Sequence, residues 1–260
     1  MKFPFGINFQ VSTFTFHLYM KRIAIIVAMQ SEFELVSNIL ENAEAREIGG
    51  AKALVGELSG KQIILLKSGI GKVNAAMQVT SLIAEMHPDY IINSGVAGGI
   101  GEGKHQGDIV VGTECCYHDV WWGEGEWGQV QGYPLKFPTN EHLLEAAERV
   151  VKDNSCTDAI YCVSTTFNFQ LGLICTGDQF ISDLATLQGI KKNFPDGKAV
   201  DMESAAIAQV CYAKQVPFMS LRIVSDTPGM EKDNTMQYLD FFAEAPKMPF
   251  AVLRQLIETI

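Results

Sequence analysis

Arginine is scarce in this 260-residue chain, which holds only Arg22, Arg46, Arg149, Arg222 and Arg254. The formal net charge is −10 at pH 7. Nucleic-acid phosphates and anionic lipid surfaces repel such a chain, so neither is expected as a partner. Metal-ligand spacing is missing too. The six cysteines (Cys115, Cys116, Cys156, Cys162, Cys175 and Cys211) form no C-x-x-C pair, and the five histidines are scattered. A zinc site is therefore not expected. Most of the cysteines sit inside apolar runs, as buried free thiols of a reducing compartment do, so a cytoplasmic location is expected. No uninterrupted apolar run reaches the ~18 residues that a membrane span needs. Repeats, linkers and low-complexity blocks are also lacking.

Apolar residues are plentiful at 47%, enough to pack one large α/β domain. Six apolar runs read as strands: Arg22–Met29, Gln62–Gly69, Tyr90–Gly99, Gly107–Thr113, Leu171–Asp178 and Val216–Asp226. They are nearly continuous rather than alternating, which predicts a sheet covered on both faces. Helical spacing is read over Ser31–Ala43, Lys72–Met86, Glu141–Asp153, Glu203–Gln215 and Pro249–Ile260. Strands alternating with helices define an α/β fold. The domain is expected to begin at Met20, because "MKRIAIIVAM" reads as a natural chain start. Residues 1–19 are aromatic and β-prone, and they lack the apolar block of a secretory signal. They are either an added edge strand or the product of an upstream start codon.

Open α/β sheets bind ligands beyond the carboxyl ends of their strands. Glu32, Ser68, Asn93, Asp178, Asp201, Glu203, Ser225 and Asp226 all follow apolar runs, alongside two glycine turns, Gly69–Gly71 and Gly95–Gly99. Each has a plainer reading. Glu32 and Glu203 suit the first turn of a helix. Ser225-Asp226 suits an N-cap, His118-Asp119 a structural pair, and Cys115-Cys116 the core. A shared rim, however, makes a reaction centre more credible than any one residue does.

The segments "IAIIVAMQSE", "LLKSGIGKVNAA", "INSGVAGGI", "GDIVV", "YHD", "TGDQFI", "NFP", "AVDMES" and "LRIVSD" occur in this order. In them the chain resembles the 5'-methylthioadenosine/S-adenosylhomocysteine nucleosidases of the purine and uridine phosphorylase superfamily, from Met20 to the C-terminus. The resemblance implies a single-domain, mixed twisted sheet closing partly into a barrel with flanking helices. It also implies a homodimer that uses no metal or organic cofactor. The implied reaction is hydrolysis of the N-glycosidic bond of a small nucleoside, releasing adenine and a 5'-substituted ribose in methionine salvage. By the same resemblance Glu32 activates the attacking water, Asp226 protonates the purine and Glu203 holds the ribose hydroxyls. Met202 packs on sugar and base, Phe180 stacks on adenine, and Ile181 meets the base edge. Met29 and Ile70 line the ribose and 5' side. Ser225 and Arg222 steady the aspartate and the site. Tyr238 stands where a phenylalanine covers the 5' end, and Asp201 where glutamate is usual.

The chemistry needs these groups. Adenine leaves badly as an anion, so an acid must protonate N7, and Asp226 would require a raised pKa. The sugar becomes oxocarbenium-like and is stabilised by nearby negative charge. Phosphorolysis would instead need arginine forks or backbone nests for phosphate. The glycine loops carry no arginine, and Lys72 is a weak phosphate candidate, so hydrolysis is favoured. The alternatives are a phosphorylase or a futalosine-type hydrolase of the same fold, or a module that binds adenosine derivatives without cleaving them. The least regular region runs from Tyr117 to Glu141, and its loop "HDVWWGEGEWGQ" (His118–Gln129) departs most from the family pattern. It carries Trp121, Trp122 and Trp127. They rebuild the 5' pocket, pack across the dimer, or simply bury a loop.

Overall fold

The computed structural model describes residues 20–101, 105–155, 168–228, 236–238, 241 and 248–260. The expected leader, residues 1–19, lies outside them, as do Cys156 and Cys162. Ten strands form one sheet: β1 (Arg22–Val27), β2 (Glu41–Ile48), β3 (Ala51–Leu58), β4 (Lys61–Lys67), β5 (Tyr90–Gly99), β6 (Ile109–Tyr117), β7 (Phe137–Pro138), β8 (Phe169–Thr176), β9 (Gly197–Asp201) and β10 (Phe218–Asp226). The helices that frame the sheet among the described residues include α1 (Gln30–Ser37), α2 (Lys72–Met86), α3 (Glu141–Ser155), α4 (Leu184–Asn193), α5 (Ser204–Lys214) and α6 (Met248–Thr259).

Strand order is β2-β3-β4-β1-β5-β9-β8-β6-β10, and β10 pairs back onto β5. That last pairing closes five strands into a ring, and the remaining strands trail from it as an open wing. β1, β4, β5 and β10 run parallel, so their carboxyl ends share one rim as the sequence predicts. β9 runs against β5, and β6 against β10. The ends of β8 and β9 therefore reach the cavity through ring closure, not through a common strand direction.

Alternation along β1 explains its unbroken apolar sequence. Ala24 and Ile26 join a core with Ala75, Val79 and Leu82 of α2 and Ala205 and Ile207 of α5. Ile23, Ile25 and Val27 face Phe33 of α1, Leu143 of α3 and Leu253 of α6. Both faces are covered, so no position along the strand favours a polar residue. A third cluster, with Leu173, Cys175, Leu187 and Phe194, packs α4 against the ring.

One predicted helix is shorter than the sequence spacing implied. α1 ends at Ser37, and Glu41–Ala43 belong to β2. β2 is exposed at every position but its last, so it carries no alternation that would mark it as a strand. Its pairing with β3 across Gly49-Gly50 supplies the strand conformation instead. Among the described residues, no helix is long and apolar enough to cross a membrane.

Candidate active site

A cavity of about 370 Å³ opens at the shared rim. That lies within the range of small-molecule sites. Met29, Glu32, Ile70, Phe180, Ile181, Met202, Glu203, Ser225, Asp226 and Tyr238 all line it. Arg222 stands behind the wall, and the strand-end residues Ser68, Asn93 and Asp178 do not line the cavity. Val96, Ala97 and Gly98 of the Gly95–Gly99 turn line it as well, and the structure adds Ala28, Gln179 and Val200. Those three carried little signal, because Ala28 and Val200 are small or apolar and Gln179 sits between two more conspicuous neighbours.

Glu32 satisfies both of its readings. It occupies the first turn of α1, where its Oε2 accepts the N–H groups of Ala28 (2.9 Å) and Met29 (3.0 Å). Its Oε1 accepts the N–H of Val96 at 3.0 Å, tying α1 to β5. Burial raises its pKa above the usual carboxylate range, while Arg222 and these three N–H groups pull the other way. A carboxyl poised in this way exchanges protons nearer neutrality than an exposed glutamate. Gly95 makes the arrangement possible. A Cβ there would lie 2.5 Å from Arg222 Nη1 and 2.6 Å from Glu32 Oε1.

Asp201 and Glu203 divide the two roles that adjacent acids left open. Asp201 accepts Thr176 Oγ1–H at 2.5 Å, the Ser204 N–H at 3.1 Å and the Ser204 hydroxyl. It also pairs with Arg222 Nη2 at 2.5 Å. Its oxygens are thus spent on the framework, although its edge touches the cavity. Glu203 is the N-cap residue of α5, yet its side chain makes no cap bond. Thr176 Oγ1 and Asp201 serve the first amides of α5 instead. That leaves the Glu203 carboxylate turned to the cavity, with Oε1 accepting the Gly71 N–H at 3.0 Å and Oε2 lying 3.6 Å from Arg222. Burial pushes its pKa up to about 7, against the pull of Arg222.

Arg222 is buried under this group, and its Nε and Nη2 donate to Ser204 Oγ at 3.2 and 3.0 Å. One cation therefore serves Asp201, Glu203 and Glu32. Asp226 ends β10 at 2% exposure, and its Oδ1 accepts the Ser225 hydroxyl at 2.7 Å. Opposite stand the ring of Phe180 and that of Tyr238, edge to face at 5.9 Å. Tyr238 Oη lies 2.8 Å from Met29 Sδ. Phe180 and Ile70 are each 50% exposed, a high value for large apolar side chains on a cavity wall. His118 is buried but does not line the cavity, and burial lowers its pKa. The His118-Asp119 pair is accordingly framework.

A curled α/β sheet with three carboxylates converging on one nucleoside-sized cavity defines a class, and sequence comparison agrees with it. The phosphorylase superfamily model matches residues 22–258, and the chain belongs to that superfamily. Within it, the chain is 38% identical to the 5'-methylthioadenosine/S-adenosylhomocysteine nucleosidase of Lysinibacillus sphaericus, over 92% of this chain and 100% of that protein. It is 41% identical to the enzyme of the same name from Bacillus cereus, over 84% of this chain and 92% of that one. The crystal structure of the Neisseria meningitidis nucleosidase in complex with methylthio-immucillin-A superposes with a TM-score of 0.83 at 36% identity, covering 93% of this chain and 100% of that one.

Proposed function

We propose that this chain is a nucleosidase that hydrolyses the N-glycosidic bond of 5'-methylthioadenosine and S-adenosylhomocysteine. The observation that carries this reading is the convergence of Glu32, Glu203 and Asp226, from the ends of β1, β9 and β10, on a single cavity walled by Phe180. Adenine stacks on Phe180, with its edge toward Ile181 and its N7 toward Asp226. Asp226, shielded from water, donates its proton as the bond to C1' stretches. Glu203 accepts hydrogen bonds from the ribose hydroxyls and places negative charge near the oxocarbenium-like sugar. Glu32 takes a proton from the attacking water; such assistance is typically worth ~10²–10⁴-fold. Met29, Ile70, Met202 and Tyr238 enclose the sugar and its 5' substituent.

Phosphorolysis has less support. Arg222 is engaged by Asp201, Ser204 and Glu203. Lys72, the other phosphate candidate, is held by Asp119 at 2.8 Å. The test is adenine release from methylthioadenosine in phosphate-free buffer. Release at full rate is expected, and no release until phosphate is added would overturn hydrolysis.

The active unit in this proposal is a cytoplasmic homodimer. Val73 and Met77 of α2, Tyr212 of α5, and Trp121 and Trp122 expose large apolar surface that a second copy would cover. Cys116 and Cys175 lie 3.8 Å apart, sulfur to sulfur, as free thiols, which suits a reducing compartment.

A further inference from the structure

The carboxylates and the aromatic wall leave Lys72 unexplained. Its ammonium does not line the cavity, yet it is the hub of a charge network at the cavity's outer edge. We propose that Lys72, Asp119 and Asp178 form a positioning clamp that fixes the ribose-holding side of the site relative to the base-holding loop. This inference rests on the nucleosidase reading of the same cavity and assigns work to residues outside it.

The network closes on itself. Lys72 Nζ donates to both Asp119 oxygens at 2.8 Å and lies 3.6 Å from Asp178 Oδ2. The Lys72 backbone N–H donates to Asp178 Oδ1 at 2.8 Å. The Asp178 N–H in turn donates to Asp119 Oδ2 at 2.9 Å. Three segments are joined in this way: the start of α2, the end of β6 and the turn after β8.

Two of those segments are the lips of the cavity. Gly71, next to Lys72, donates its N–H to Glu203. Asp178 is followed closely by Phe180 and Ile181, the residues assigned to adenine. The first amides of α2 thus hold two carboxylates: Glu203 on the sugar side and Asp178 on the base side. α2 has no cap of its own, since its N-cap residue is Gly71. Carboxylates placed there satisfy open donors and complement the helix dipole. Gly71 is held at φ +95°, and a Cβ on it would stand 3.1 Å from Asp178 Oδ1. The end of β6 is braced from behind. Trp127 Nε1–H donates to the His118 carbonyl at 2.8 Å, and the Gly128 N–H to that of Val120 at 2.8 Å.

A ligand that bridges sugar and base feels the spacing between these lips directly. Displacement by ~1 Å at a remote support costs up to ~10²-fold, and here the loss falls on kcat/KM through weaker binding of the bridging ligand. The clamp therefore acts through Phe180, Ile181 and Gly71 rather than on the reacting atoms.

The test uses the full chain as wild type, Lys72→Met, Lys72→Arg, Asp178→Asn and the double variant Lys72→Met/Asp178→Asn. Steady-state kinetics on methylthioadenosine and calorimetric titration with adenine are run on each. In Lys72→Met, KM and adenine Kd are expected to rise about tenfold while kcat changes less than about threefold. Lys72→Arg restores both to within about threefold, because the charge and the donors remain. The double variant is no worse than its weaker single, since neighbours in one network are not additive. Wild-type values of KM and adenine Kd in Lys72→Met would overturn the clamp. So would equal losses in Lys72→Arg accompanied by a lowered Tm, which would make Lys72 a folding residue. A wild type that binds adenine but leaves methylthioadenosine intact overturns the nucleosidase reading alone, and the adenine titration then decides the clamp. A wild type that binds no adenine overturns both.

Discussion

On the cavity floor, Glu32, Asp201 and Arg222 are buried, and each is gripped by several hydrogen bonds from strand ends and helix starts. In the connection between β6 and β7, Trp121, Trp122 and Trp127 are 56%, 37% and 46% exposed. There the tryptophan side chains contribute the stacking of Trp121 on Trp127 at 6.1 Å and one indole N–H bond. The floor is a desolvated polar lattice in which each group's charge depends on its neighbours. The loop is a set of large side chains held mostly by shape. Removing one member should therefore cost far more on the floor than in the loop.

The largest expected effect is at Asp226. Asp226→Asn keeps the shape of the wall but removes the transferable proton. It should lower kcat about 10³-fold, within the usual range for general acids, while adenine binding measured by calorimetry persists. Full activity in this variant would break the contrast at its strongest point.

A smaller effect concerns pH. Glu203 has its pKa raised to about 7 by burial, above its unfolded value of 4.5. A raised carboxyl pKa means that the folded state holds its proton more tightly. Its stabilising contribution is complete below pH ~4.5 and is lost as pH rises through ~7. The Tm of the unliganded protein should therefore fall between pH ~5 and ~8, and Glu203→Gln should flatten that fall in scanning calorimetry. The same variant should weaken both ribose binding and rate. A pH slope identical to wild type would remove Glu203 from the lattice.

The smallest effect is expected in the loop. Trp127→Phe keeps the stacking surface and deletes the donor to His118. It should cost about 1 kcal/mol of stability in urea titrations and change kcat/KM less than about threefold. A loss comparable to that at Asp226 would place the loop inside the catalytic lattice and erase the distinction.

The two regions also differed in how well the sequence could be read. Glu32, Glu203 and Asp226 were legible because a polar residue ending an apolar run is conspicuous; the ends of β1 and β10 share one rim, and ring closure brings the end of β9 to the same cavity. The respective work of Asp201 and Glu203 was not legible. It depends on Thr176 and Arg222, 25 and 21 residues from Asp201, meeting its carboxylate through strand pairing. The ring was equally silent in local pattern, since it needs β5 to pair with β10 on one side and, through only two residue pairs, with β9 on the other. The over-extended helix at α1 has a related cause. Asn38–Ala43 carries no periodicity that separates a solvated strand from a helix end, and β3 decides the matter.

The narrow ground at Gly95 has a practical corollary. Any attempt to remake this protein for other nucleosides meets a position where even one methyl group would push apart an arginine and a glutamate. Redesign is best steered toward the outer walls, leaving that glycine untouched as the keystone of the polar floor.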